Sequence, residues 1–154
     1  MSIQKVFVLF KPDCLKRGLV KLFLSELLSM GLSAENQQQL EIKQGAARFI
    51  YRDCLDKHFY QDLENFILSG PCMTLVVSGD DAINKVTELK KRFRKENSAS
   101  WIELTKEDIA LWEENKHPRQ KELNIKLTAE NLVHSTDTEE EAEEVIEYIY
   151  SPHT

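Results

Sequence analysis

An α+β domain with a four-stranded antiparallel sheet is the fold class this sequence predicts. Three observations carry it: helix-like and strand-like segments follow one another as strand–helix–strand and then strand–helix–strand; the first strand is a continuous apolar run; and the second alternates polar with apolar residues. The 154 residues fit one domain, 1–154, with enough chain to bury a substantial core.

The first strand is expected near 4–11, in Lys5-Val6-Phe7-Val8-Leu9-Phe10, which after Lys5 is apolar without interruption and rich in β-branched and aromatic residues. Such a run suits a strand covered on both sides. Lys11-Pro12-Asp13 ends it. A helix near 16–30 follows, opened by Arg17-Gly18-Leu19-Val20, with Leu19, Leu22, Phe23 and Leu27 at helical spacing and Gly31 as its stop. The segment near 33–43 reads as a strand with one solvated face, from the alternation in Gln37-Gln38-Gln39-Leu40-Glu41-Ile42. Short helices are expected near 44–53 and 57–68, a strand at 72–78, and a helix near 81–95 begun at Gly79-Asp80-Asp81. A last strand is expected near 123–128. A last helix runs from about 138 to 148, where Thr138 and Glu141 are spaced as a capping box. This order is a split βαβ pattern, the ferredoxin-like arrangement, with helices expected on one face of the sheet.

One segment stands outside the pattern. Within 97–112, Thr105 and Asp108 with Ile109 and Trp112 on one face predict an extra amphipathic helix. Both tryptophans of the chain, Trp101 and Trp112, fall here, so they either fill a local core or meet another subunit.

Bulk properties narrow the function classes. The apolar runs are far shorter than the ~20 residues a membrane-spanning helix needs. Met1-Ser2-Ile3-Gln4-Lys5 lacks the charged-then-apolar shape of a secretory signal. Cys14, Cys54 and Cys72 form neither a disulfide framework nor a metal-ligand spacing and fit a reducing, cytoplasmic setting. A net charge of −6 disfavours nucleic acid as a partner. Against that acidic balance, Lys85, Lys90, Lys91, Arg92, Arg94 and Lys95 cluster in one stretch. That cluster is either a phosphate-binding wall or a solvated helix face.

The chemistry gathers at Asn131-Leu132-Val133-His134-Ser135-Thr136-Asp137. A histidine at a strand exit, with hydroxyl and carboxylate side chains able to fix its tautomer, suits a nucleophilic imidazole. The competing reading is a surface histidine beside a helix cap. At the other end of the chain, Lys11, fixed by Pro12 at the end of a buried strand, suits contact with phosphate; a solvated turn lysine is the alternative.

These segments together resemble the nucleoside diphosphate kinase family: a strand into Lys11-Pro12-Asp13, then Arg17-Gly18-Leu19-Val20, a middle Ser69-Gly70-Pro71, and the Asn-x-x-His-x-[Ser/Thr]-Asp motif at 131–137. The resemblance implies the same ferredoxin-like fold and transfer of a γ-phosphoryl group between nucleotides through a phosphohistidine at His134. It also implies that Lys11 meets phosphate oxygens or ribose, Asn131 the ribose hydroxyls, Phe59 the base by stacking, and that Tyr51 packs near the histidine. The nucleotide is implied as its magnesium complex, and the protein as a homo-oligomer. Departures are visible. The family's first phosphate-binding arginine falls on Thr87, with Arg92 or Arg94 one to two turns onward as replacements. The second falls on or near Lys121, with Arg119 adjacent, and the helix glutamate that orients the site falls on Val145, with Glu141 and Glu144 close by. The segment at about 90–122 is an insertion. A kinase-like interaction module, using that insertion to meet partners, is the second function these departures leave open.

Overall fold

The protein is described here from a computed structural model, over residues 3–97 and 103–151. Strands β1 (Ile3–Phe10), β2 (Ser33–Leu40), β3 (Cys72–Asp80) and β4 (Val133–Ser135) form one sheet in the order β2-β3-β1-β4, and every neighbouring pair is antiparallel. The two inner strands are consecutive in space but not in sequence. From each of them a helical connection crosses its inner neighbour to an edge strand, β1 to β2 and β3 to β4, which is the ferredoxin-like topology.

Helices cover both faces of the sheet, not one. On one face Val6, Val8 and Phe10 meet α2 (Val20–Ser29) and α5 (Ala82–Asn97) through Phe23, Leu27, Val86, Leu89 and Phe93. Phe23 meets Phe10 and Phe93 edge-on, with ring centroids 5.4 and 5.0 Å away. On the other face Phe7 and Leu9 meet α3 (Gln44–Ile50), α4 (Tyr60–Ile67) and α8 (Glu139–Tyr150) through Ile50, Tyr51, Leu63, Ile67 and Val145. Successive strand residues point to opposite faces, so a sheet covered twice needs the unbroken apolar run that β1 carries. β2 lies at the edge and none of its residues is fully buried, where the alternation predicted one covered face and one solvated face.

The predicted helix at 16–30 is two: α1 (Pro12–Lys16), with proline in its first turn, and α2, separated by Gly18 at φ +66°. The extra helix expected within 97–112 forms as α6 (Lys106–Glu113). Thr105 and Asp108 complete a reciprocal capping box: each side chain accepts from the other's backbone N–H. Trp101 and Ile102 lie outside the described residues. At the start of α8 the Thr138 hydroxyl accepts from the Glu141 amide at 3.1 Å.

The strand expected near 123–128 is helical. α7 (Gln120–Asn124) runs into a π turn (Ile125–Ala129), closed where the Glu130 amide donates to the Ile125 carbonyl at 2.8 Å. Leu123, Ile125 and Leu127 alternate with polar residues as in a strand. The polar residues at 120, 124 and 128 carry the helical period that won: Gln120 Nε2 donates to Asn124 Oδ1, and Thr128 Oγ1 donates to the Asn124 carbonyl. The fourth strand is instead the short Val133–Ser135, paired with the end of β1.

Candidate active site

His134 is placed by β4, where it pairs with Leu9 of β1. The chain reaches it through a tight turn in which Leu132, fully buried, takes φ +75°. That conformation is costly for a side chain with a Cβ, and three contacts hold it. The Leu132 amide donates to Asp13 Oδ2 at 3.1 Å, the Leu132 carbonyl accepts from the Lys11 amide at 2.8 Å, and the Leu132 side chain is packed into the core. Lys11-Pro12-Asp13 thus works first as a clamp on the loop that delivers the histidine.

The Lys11 side chain is 2% exposed. Its ammonium donates to Asn131 Oδ1 at 2.5 Å and to the Thr128 carbonyl at 2.8 Å, while Asn131 Nδ2 donates to the Leu127 carbonyl. Burial, with Arg94 beside it, presses Lys11 well below the usual lysine range; Asp13 opposes this. An arriving anion would restore the charged form by supplying the missing counter-charge.

The predicted cations separate on inspection. Arg92 points away from the histidine and pairs with Glu26 of α2 at 3.3 Å. It lies two residues from Arg94, hence on another side of α5. Arg94 turns toward the motif and donates to two carbonyls, Asn131 O through Nε at 3.1 Å and Val133 O through an Nη. Lys121 is exposed on α7 and makes no hydrogen bond or ion pair to His134, Lys11 or Asn131; Arg119 is taken by Glu122. Lys90 is the residue the sequence did not single out. Its ammonium donates to Ser135 Oγ at 2.8 Å, and burial and then Arg94 lower its pKa to about 8. The available signal was the i, i+4 pair Lys90 and Arg94, one and two turns beyond Thr87.

Burial, Lys11, Lys90 and Arg94, in that order, hold the His134 imidazole well below the usual histidine range. It is therefore neutral at pH 7. The hydroxyls expected to orient it are used elsewhere: Ser135 accepts from Lys90, and Thr136 Oγ1 accepts from the Phe7 amide at 3.0 Å. The two glutamates near Val145 do not reach it either. Glu144 pairs with Arg52, Val145 is buried, and His134 Nε2 is enclosed with no hydrogen-bond partner. Tyr51 stands beside the ring, centroids 4.6 Å apart at 51°, with its own hydroxyl buried and unpartnered.

Phe59 packs against the apolar cluster that contains Tyr51 and Leu63, but its ring is stacked on Trp112. The structure therefore brings His134, Lys11, Asn131, Tyr51, Arg94 and Lys90 together, keeps Phe59 adjacent under cover, and leaves Arg92 and Lys121 out.

The model of the family described as nucleoside diphosphate kinase matches residues 4–154. A nucleoside diphosphate kinase of Metallosphaera sedula is 29% identical over 153 residues, 99% of this chain and 96% of that protein. One of Sulfurisphaera tokodaii is 30% identical over 143 residues, 92% of this chain and 85% of that protein. Among solved structures, a halophilic nucleoside diphosphate kinase of Halobacterium salinarum in complex with CDP superposes with a TM-score of 0.67 at 26% identity, covering 98% of this chain and 90% of that one. The Aquifex aeolicus enzyme superposes with a TM-score of 0.70 at 21% identity, over 97% and 96% of the two chains, and supports the fold. With the family model covering nearly its whole length, the chain belongs to the nucleoside diphosphate kinase family.

Proposed function

We propose that this protein transfers the γ-phosphoryl group of a nucleoside triphosphate to a nucleoside diphosphate through a phosphohistidine at His134. The observation that carries the reading is one imidazole, kept neutral, on a loop held by three basic side chains: Lys11 on Asn131, Arg94 on Asn131 and Val133, and Lys90 on Ser135. A neutral imidazole is nucleophilic without a proton having to be removed first, and the cations are matched to the charge of a transferring phosphoryl group.

Because Nε2 is enclosed, Nδ1 is the nitrogen able to meet a ligand. Its lone pair attacks the γ-phosphorus, the bond to the β,γ-bridging oxygen breaks, and the nucleoside diphosphate leaves with that electron pair. A terminal oxygen of a second nucleoside diphosphate then attacks the phosphohistidine and returns His134 to its starting form. Lys11 and Lys90 bind phosphate oxygens, Asn131 the ribose hydroxyls, Tyr51 lines the site, and Arg94 holds the 131–133 backbone in place. Among the described residues no group of three His, Cys, Asp or Glu side chains is arranged to hold a metal. Magnesium would arrive already bound to the nucleotide and would neutralise part of its phosphate charge, beside Lys11 and Lys90. No described helix is long and apolar enough to cross a membrane. We infer a cytoplasmic homo-oligomer, with the 90–122 insertion at or near its contacts.

The orphaned Nε2 and the covered Phe59 favour a second reading, a nucleotide-poor interaction module. Incubation with γ-labelled ATP decides between them. Acid-labile, alkali-stable label that is lost in His134→Ala, with the variant still folded, is the expected result. A folded parent that takes no label supports the module.

A further inference from the structure

Phe59 and Trp112 lie in direct contact, with ring centroids 5.8 Å apart and planes 18° from parallel. His58 meets both edge-on, at 5.0 Å from Trp112 and 5.5 Å from Phe59. The indole is tied into this position. Its Nε1–H donates to Asn124 Oδ1 at 2.8 Å, and its backbone carbonyl accepts from Gln120 Nε2 at 3.1 Å. Asn124 is itself fixed to α4 through a bond from Nδ2 to Asp62 Oδ2.

The helix that carries Trp112 is otherwise poorly packed. α6 contains no fully buried residue, and its other large apolar side chains, Ile109 and Leu111, remain 41% and 37% exposed. A helix recruited to extend the core would bury those two first. Instead the insertion spends its docking contacts on laying one indole against one phenylalanine.

We propose that Trp112 is an internal occupant of the base-stacking face of Phe59, competes there with the nucleobase, and so sets the apparent affinity of the site for nucleotides. This rests on the nucleotide-transfer function proposed above. A base inserted between two parallel rings needs them about 7 Å apart, twice a contact distance of ~3.5 Å. The observed separation admits none. A nucleotide therefore stacks only after the indole leaves, giving up its bond to Asn124. The apparent dissociation constant is the intrinsic one divided by the fraction of molecules in which Trp112 is displaced. Phosphate contacts at Lys11 and Lys90 involve neither ring, so a ligand without a base escapes the competition.

The test compares ADP with inorganic tripolyphosphate, by calorimetry on the full chain and on Trp112→Ala and Trp112→Phe. If Trp112 holds the face shut in about four molecules of five or more, Trp112→Ala binds ADP at least about fivefold more tightly. Tripolyphosphate affinity stays unchanged. Trp112→Phe, which keeps a ring but cannot bond Asn124, falls between parent and Ala. In a Trp101→Phe background Trp112 is the one remaining tryptophan. Its emission then changes on saturation with ADP and not with tripolyphosphate. Unchanged or weaker ADP binding in both variants overturns the proposal, as does constant emission at saturating ADP. Should the Ala variant not fold, the Phe variant and the emission decide. A parent that takes no phosphoryl label and binds no ADP refutes the function itself. A labelled parent whose ADP affinity does not respond to Trp112 refutes only the competition.

Discussion

The Lys90 ammonium donates to the Ser135 hydroxyl at 2.8 Å, which carries a half-buried cation from α5 to the residue that follows His134. Thr87, onto which the resemblance puts the family's first phosphate-binding arginine, lies one turn earlier on the same helix. Lys90 and Arg94 place basic charge on that helix one and two turns beyond Thr87. Lys90 and Arg94 then divide the work. Arg94 spends its guanidinium on two backbone carbonyls, while Lys90 keeps donors free for a ligand beyond its bond to Ser135.

Lys90→Ala is expected to lower kcat/KM by on the order of 10- to 100-fold, the loss of one charge-assisted hydrogen bond of ~1.5–3 kcal/mol. The pH profile is the sharper measurement. With a pKa of about 8, Lys90 is charged below that pH and neutral above it, so kcat/KM, which reports the free enzyme, falls as pH rises through about 8. Lys90→Arg keeps its charge and moves that fall to higher pH. A parent profile level well above pH 8 contradicts the assignment.

Arg94→Lys should behave almost as badly as Arg94→Ala. A lysine offers a point charge and cannot span the carbonyls of Asn131 and Val133 as the planar guanidinium does. Either change is expected to cost about 1.5–3 kcal/mol of stability, measured by urea unfolding, and to lower kcat through the displaced His134 loop. If Arg94→Lys matches the parent in both, Arg94 is a phosphate ligand and not a backbone clamp.

Much of this site is legible in the sequence because it is local. Asn131 and His134 are three residues apart on one loop, and Lys11 sits at the end of an apolar run that could only be a buried strand. What pattern could not give was direction. Arg92 and Arg94 are equivalent as letters, and only the phase of α5, set by Val86, Leu89 and Phe93 facing the sheet, sends one to Glu26 and the other to Asn131. Continuous apolar character in β1 already implied cover on both faces, yet a one-sided helix layer was expected. The misplaced fourth strand has a related cause. Period-2 spacing of Leu123, Ile125 and Leu127 competed with polar i, i+4 contacts whose strength depends on Trp112 and Asp62, both distant in sequence.

Trp101 and Trp112 were expected either to fill a local core or to meet another subunit. Trp112 takes the first course and packs on Phe59 of its own chain, while Trp101 lies outside the described residues. Ile109 and Leu111 remain the exposed apolar surface of α6. If α6 contributes to a homo-oligomer, light scattering at micromolar concentration gives at least a dimer, and Ile109→Glu with Leu111→Glu shifts it toward monomer. A parent that is already monomeric removes α6 from the interface and leaves the catalytic assignments untouched.

Lys11→Met separates what the lysine does for catalysis from what it costs the fold. Methionine is similar in length, so the cavity stays filled. Phosphoryl transfer is expected to drop at least about 100-fold, since the variant loses the buried amine beside Asn131 that an arriving phosphate would recharge. Stability should respond differently with pH. Lys11 has its pKa depressed by burial in the folded protein, and an ordinary value of ~10.4 when unfolded. Between those two values the unfolded chain holds the extra proton, so this residue makes the parent more stable as pH rises, by at most ~1.4 kcal/mol per pH unit. Buried Cys14 and Cys72, both raised to about 12, act in the opposite sense, but they are common to parent and variant and cancel in the difference. Unpairing Asn131 Oδ1 and the Thr128 carbonyl adds an offset that does not depend on pH. The expected outcome is therefore a variant whose stability relative to the parent is most favourable near neutral pH and declines toward pH 10, measured by denaturant unfolding at three pH values. Parallel curves would mean that Lys11 is charged in the folded protein without penalty, and that Asp13 outweighs burial and Arg94 at this site.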